Sequence, residues 1–256
     1  MSVSPFLKVL DRVLRYIGPG YLSRSASIGR LNLSLREEWL KKVLLNIPTG
    51  SRILDVGAGE LKYKEFCQHL KYTSQDFAQY DGSGDGKGLQ MNKWDQTHLD
   101  IISDITSIPE PDGFYDAVMC IEVLEHVPNP LGALQEIERL IHSGGYLIVT
   151  APFASLTHFS PYFYQTGFSK YFYEYWLEKY GFRILELNIN GNYFEYVAQE
   201  LHRLPSIAEH YSTPDLSWLE KKALKIIFNS LNRMSSNDKG SNELLCFGIH
   251  ILAQKK

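Results

Sequence analysis

Ser51–Glu60 reads SRILDVGAGE: a short apolar strand, an acid, then a tight loop with glycines at Gly57 and Gly59. A strand running into a glycine loop and then a helix is how α/β sheets present backbone N–H groups to a nucleotide-like ligand. The acids decide which ligand. Asp55 closes the strand and Glu60 follows the glycines, while Lys62 stands where a dinucleotide-binding loop places its third glycine. Carboxylates at both ends of the loop suit a ligand carrying an ammonium or sulfonium better than a pyrophosphate.

Working outward, Tyr72–Phe77 (YTSQDF) reads as a second strand ending in Asp76, 21 residues after Asp55. A carboxylate there can accept both hydrogen bonds of a ribose diol. Ile101–Pro109 (IISDITSIP) sets Asp104 at the end of a third apolar run, and Tyr115–Cys120 (YDAVMC) is a fourth strand followed by IEVLEHVPNP. Leu140–Phe153 gives a helix end, a Gly144–Gly145 break and a fifth strand. All these tips fall on one edge of a parallel sheet, where ligands bind.

Taken in this order, ILDVGAGE, QDF, SDITSIP, FYDAVMCIEVLEHVPNP and GGYLIVTAPF resemble the class I S-adenosylmethionine-dependent methyltransferases, over roughly residues 39–190. The resemblance implies a Rossmann-like, doubly wound sheet of about seven strands, mostly parallel with an antiparallel last strand, plus a helical cap. It further implies S-adenosylmethionine as cofactor, with Asp55, Gly57, Ala58 and Gly59 at its methionine end. Asp76, with Phe77 beside it, is expected on the ribose, Asp104 and Ile105 at the adenine, and Glu122 and His126 along its border. Many family members carry a third glycine where this chain has Leu61.

Composition narrows the field. With 26 basic and 29 acidic residues the net charge is −3, which gives no footprint for nucleic acid. Cys67, Cys120 and Cys246 lack C-x-x-C spacing, so neither a metal site nor a disulfide framework is expected, and a buried Cys120 is the plain reading. The sequence shows no signal-peptide pattern and no apolar run near the ~20 residues of a membrane span, so a cytoplasmic enzyme is expected. Residues 6–17 form an amphipathic pattern read as a packing helix rather than a membrane-surface one. Tyr80–Gly88 (YDGSGDGKG) lacks the G-K-[ST] ending of a P-loop and is read as a flexible crossing.

Aromatic residues crowd between Phe153 and Tyr180. Ser169–Tyr180 has helical spacing, with Phe172, Tyr175, Trp176 and Tyr180 expected in the core. Tyr162, Tyr164 and Gln165 are expected at a small-molecule acceptor. After a sixth strand, Phe182–Asn190, a helical excursion follows, broken at Pro205, before a closing strand Leu244–Ala253. The expected organisation is one domain: an N-terminal embellishment (1–38), a cofactor core (39–190), a cap (191–243) and the closing strand (244–256). Direct methyl transfer needs the acceptor atom, methyl carbon and sulfur in line, and a base where the acceptor is a hydroxyl. His158, in the loop after strand five, is the first candidate for that base, and His126 the second. Glu122 and Glu125 are read as sharing a helical turn, with one of them facing the pocket. A sugar or other small hydroxylated metabolite leads as acceptor, with a quinone or phenol next; a non-catalytic scaffold is the rival from another class.

Overall fold

The structure, a computed structural model, describes residues 28–91, 93–212 and 216–256; the expected helix at 6–17 lies outside them. The described chain divides into two compact units, one of Ser34–Asn190 with Cys246–Lys256, the other built on Gly191–Leu245 with residues 28–33.

The first unit is a seven-stranded sheet: β1 (Arg52–Val56), β2 (Lys71–Asp76), β3 (Ile101–Ile102), β4 (Tyr115–Ile121), β5 (Ile141–Pro152), β6 (Phe182–Asn190) and β7 (Gly248–Lys255). Its order is β3-β2-β1-β4-β5-β7-β6, with β7 antiparallel to both neighbours and the β3-to-β5 side parallel. The strand alternation sorts two cores. Leu54, Val56, Val118, Cys120, Leu147 and Val149 face α2 (Pro130–Leu140) and α3 (Lys170–Lys179). Ile53, Ala117, Met119, Ile121 and Ile148 face α1 (Asn32–Leu45), which buries Trp39, Leu40, Val43 and Leu44. Successive strand residues point to opposite faces, so near-continuous apolar strands require cover on both sides. Asn129 caps α2 by accepting from the Gly132 N–H, and Pro130 fills its first position.

Several local expectations change. No α-helix follows the glycine loop: a turn leads to a four-residue 3₁₀ helix, Lys64–Cys67. In α3 the fully buried residues are Tyr173 and Leu177, with Phe172 and Trp176 packed beside them, and Tyr175 is 61% exposed. Phe172, Trp176 and Tyr180 thus pack on the core as expected, and of the four Tyr175 alone turns outward, as Tyr is tolerated on either face. The closing strand begins at Gly248, not Leu244, since Leu244 has helical backbone angles as the cap of a 3₁₀ turn, Ser241–Glu243. All three cysteines are free and buried.

The second unit holds α4 (Tyr193–Tyr211) and α5 (Trp218–Ser236). Helix α4 runs through Pro205 instead of stopping there, at the cost of one i→i−4 hydrogen bond. Asn192 caps α4, and a Ser217–Glu220 capping box starts α5. Ile28, Ala198 and Leu231 form its small core. No helix among the described residues is long and apolar enough to cross a membrane.

Candidate active site

The tips of β1, β2 and β4 border a cavity of about 340 Å³ in the sheet unit. Its floor starts at the glycine loop, whose N–H groups are spent internally. Gly57 and Ala58 donate to the Gln75 carbonyl at 2.8 and 3.0 Å, and Gly59 donates to Asp76 Oδ2 at 2.9 Å. These N–H groups, expected to be presented to a ligand, are used inside the protein, and that of Gly59 orders a carboxylate that lines the cavity. Gly57, at φ 72°, is required twice over, because a Cβ would meet Val123 Cγ2 at 2.4 Å. Leu61 holds φ 60°, a left-handed conformation costly for a branched side chain.

Asp76 lines the cavity and also accepts from the Ala78 N–H at 2.9 Å; burial raises its pKa against these bonds. Each oxygen keeps a lone pair for a further donor. Asp55 does not line the cavity. It is buried, accepts from the Tyr72 hydroxyl at 2.7 Å, and burial lifts its pKa to about 7. Phe77, Ile105 and Asp104 do line it; Asp104 is tied by Thr106 N–H and hydroxyl, bonds that lower its pKa.

At the β4 tip Glu122 lines the cavity in a left-handed conformation, φ 56°. It does not share a helical turn with Glu125: the 3₁₀ turn is Leu124–His126, and Glu122 precedes it. Glu122 pairs with Arg36 at 2.5 Å and accepts from the Thr150 hydroxyl at 2.9 Å. Arg36 Nε is buried without a hydrogen-bond partner among the described residues. Sequence reading missed Arg36, though a signal existed: it shares the face of Trp39, Leu40 and Val43, so a charge sat at a core position of α1. Glu125 is buried, and burial with Glu122 nearby drives its pKa well up.

The roof joins two distant loops. Asp85 N–H donates to Ser160 O, Leu89 N–H to Thr157 O, and Phe159 N–H to Leu89 O, each at 3.0 Å. The glycines of the crossing serve close approach, since a Cβ on Gly84 would collide with the Ser160 carbonyl oxygen. Tyr80 stacks on Phe159 at 4.7 Å, and Trp94 stands edge-on to both. All three line the cavity, so the crossing read as flexible supplies part of the wall. Tyr162 and Tyr164 line it too, with Tyr162 edge-on to Phe77 at 5.0 Å. Gln165, Ala58 and Gly59 do not.

His126 and His158 form an edge-to-face pair 4.6 Å apart. His126 lines the cavity, and its Nδ1 bonds the Tyr162 carbonyl at 2.6 Å, which leaves Nε2 as the lone-pair nitrogen. Nε2 lies 3.7 Å from Glu125, and burial, with His158 adding, pushes the imidazole down to about 4. His158 packs behind it against Phe159 and Phe163, bonded through Nδ1 to the Leu156 carbonyl, and is not part of the lining.

A doubly wound sheet with acid-tipped strands around a switch-point cavity defines a nucleoside-binding α/β class. The family model described as a methyltransferase domain matches residues 30–204, and the chain belongs to that family. The chain is 32% identical over 104 residues to the ubiquinone biosynthesis O-methyltransferase of Xanthomonas oryzae pv. oryzae (strain PXO99A), covering 40% of this chain and 43% of that one. It thus spans less than half the length of the curated relatives it matches. The fold is similar to a SAM-dependent methyltransferase from Archaeoglobus fulgidus, with TM-score 0.54, 16% identity, and 87% and 94% of the two chains covered. It is equally similar to the [4+2]-cyclase SpnF, with TM-score 0.51, 16% identity, and coverage of 89% and 83%.

Proposed function

We propose that this chain transfers a methyl group from S-adenosylmethionine to a hydroxyl of a planar, phenol- or quinol-type acceptor. The observation that carries the reading is the cavity's chemistry. Asp76, Asp104 and Glu122 line it, and among the described residues no lysine or arginine does, while Tyr80, Trp94, Phe159 and His126 present flat rings. Carboxylates and aromatic faces suit a sulfonium, and an acceptor carrying phosphate or carboxylate finds no counter-charge. The residues fit the cofactor: Asp76 for the ribose diol, Phe77 with Ile105 for the adenine, and Glu122 for the positively charged methionine end. Similarity over 40% of the chain to an O-methyltransferase of ubiquinone biosynthesis favours the phenolic acceptor over the sugar.

When bound, the cofactor supplies an electrophilic methyl group on a sulfonium. The chain's own work is orientation and exclusion of water, for which ideal cases reach effective molarities on the order of 10⁵–10⁸ M. Glu122, anchored by Arg36 and Thr150, holds negative charge at the β4 tip. The acceptor hydroxyl must lose its proton; His126 is part of the cavity lining where His158 is not, and its Nε2, buried beside Glu125, has to be uncovered by the bound acceptor to take that proton. We therefore move the base role from His158 to His126, which burial keeps neutral down to about pH 4.

The test is release of S-adenosylhomocysteine with a catechol-type phenol and a hexose offered in parallel. Turnover of the phenol alone, with His126→Ala costing kcat about 10²-fold and His158→Ala only a few-fold, is expected. Hexose turnover returns the acceptor to a sugar. Cofactor binding without any turnover returns the chain to a non-methylating role on a shared fold, as the cyclase neighbour illustrates.

A further inference from the structure

Helix α5 carries apolar residues on two faces, and the helical unit uses one of them. Leu231 is buried and Phe228 stacks on His202 at 4.2 Å, facing α4. At about 100° per residue, Leu219, Ala223, Ile226 and Ile227 fall on a second face, which Ser230 separates from Met234. There Leu219 is 62% exposed, and Ile226 and Ile227 are 43% and 44% exposed. A stripe of this length on one helix is more than scattered surface apolar residues.

We infer that this stripe of α5 is a docking surface for a membrane carrying anionic lipid, on which the helix lies in the interfacial plane. Charge argues for that occupant. Lys222 and Arg233 sit along one margin of the stripe, and α5 carries Lys221, Lys222, Lys225 and Arg233 against Glu220 as its one acid. Trp218, 60% exposed with Lys222 Nζ 4.1 Å from its ring centroid, stands at the helix start as an amphipathic anchor. An apolar face edged by basic residues and an aromatic anchor is the pattern of interfacial helices. The stripe is a convex ridge on one helix rather than a groove for a partner's helix.

Co-sedimentation of the full chain with phosphatidylcholine vesicles, with and without about one third phosphatidylglycerol, tests this. Binding to the anionic vesicles, weakened by salt, is expected. It should fall at least ~10-fold for the Ile226→Asp, Ile227→Asp double variant and for Lys222→Glu with Arg233→Glu. Leu45→Asp, an exposed change in the sheet unit, should bind as the parent does. Circular dichroism and cofactor titration confirm that each variant is folded. No binding to anionic vesicles overturns the inference. So does binding that both α5 variants leave intact, since another segment then makes the contact. A concentration-dependent dimer abolished by the aspartates overturns it in favour of self-association.

Discussion

The floor and the roof of the cavity are built by opposite means. The floor is local: Gly57, Gly59, Asp76 and Asp104 stand at strand tips, and their bonds run between neighbouring strands or within one turn. The roof is long-range: Tyr80, Trp94 and Phe159 meet because the 80–98 crossing and the loop after β5 bond each other across the switch point. A floor so constructed is fixed once the sheet forms. A roof of two loops is held by a few backbone bonds and ring contacts, so it belongs to the low-stability end of the molecule. We assign the shared cofactor chemistry to the floor and acceptor choice to the roof.

That contrast can be broken by experiment. Asp76→Ala removes the acceptor of two backbone N–H groups as well as the expected diol partner, so cofactor affinity should fall by about 10²-fold or more in calorimetry. Unchanged affinity removes the floor from cofactor binding. Trp94→Ala should cost roughly tenfold in acceptor KM while cofactor affinity moves little. An equal loss of both merges roof and floor into one site.

Two further outcomes sharpen the picture. Burial pushes His250, like His126, down to about 4, so between pH 6.5 and 4 the unfolded chain binds protons that the folded chain refuses. Stability from His250 is full above pH 6.5 and is lost on acidification, by on the order of 2 kcal/mol. Asp55, raised to about 7, has the opposite sign, its neutral form favouring the fold at low pH and that stability being lost as pH rises toward 7. Urea unfolding at pH 7 and pH 5 should therefore show a smaller acid loss in His250→Gln than in the parent, Asp55 being common to both. The smallest effect is expected at Leu61→Gly. Relief of the left-handed strain should raise stability by about 1 kcal/mol with cofactor affinity unchanged.

Much of the floor was legible. Asp76, Phe77, Asp104, Ile105, Glu122 and His126 were placed at strand tips by apolar runs that end in acids, and all of them line the cavity. Asp55 was placed at the correct tip, yet its side chain turns to Tyr72, a pairing set by the β1–β2 register. The roof was not legible. Nothing local to YDGSGDGKG says that its glycines admit the loop around Thr157–Ser160, or that Trp94 reaches Tyr80. His158 looked catalytic by its position after strand five, and the packing of Phe159 and His126 set it behind the lining.

The sequence by itself determined the parallel part of the sheet and the acid at each strand tip, because apolar periodicity and glycine placement are local consequences of backbone geometry, and the order of its motifs carried the resemblance to the methyltransferases. Tertiary structure alone decided which side chains face the cavity. It seated Arg36 behind Glu122, closed an aromatic roof from two loops far apart in the chain, and put His126 rather than His158 in the cavity lining. Those outcomes depend on contacts between residues distant in sequence, which no local pattern encodes.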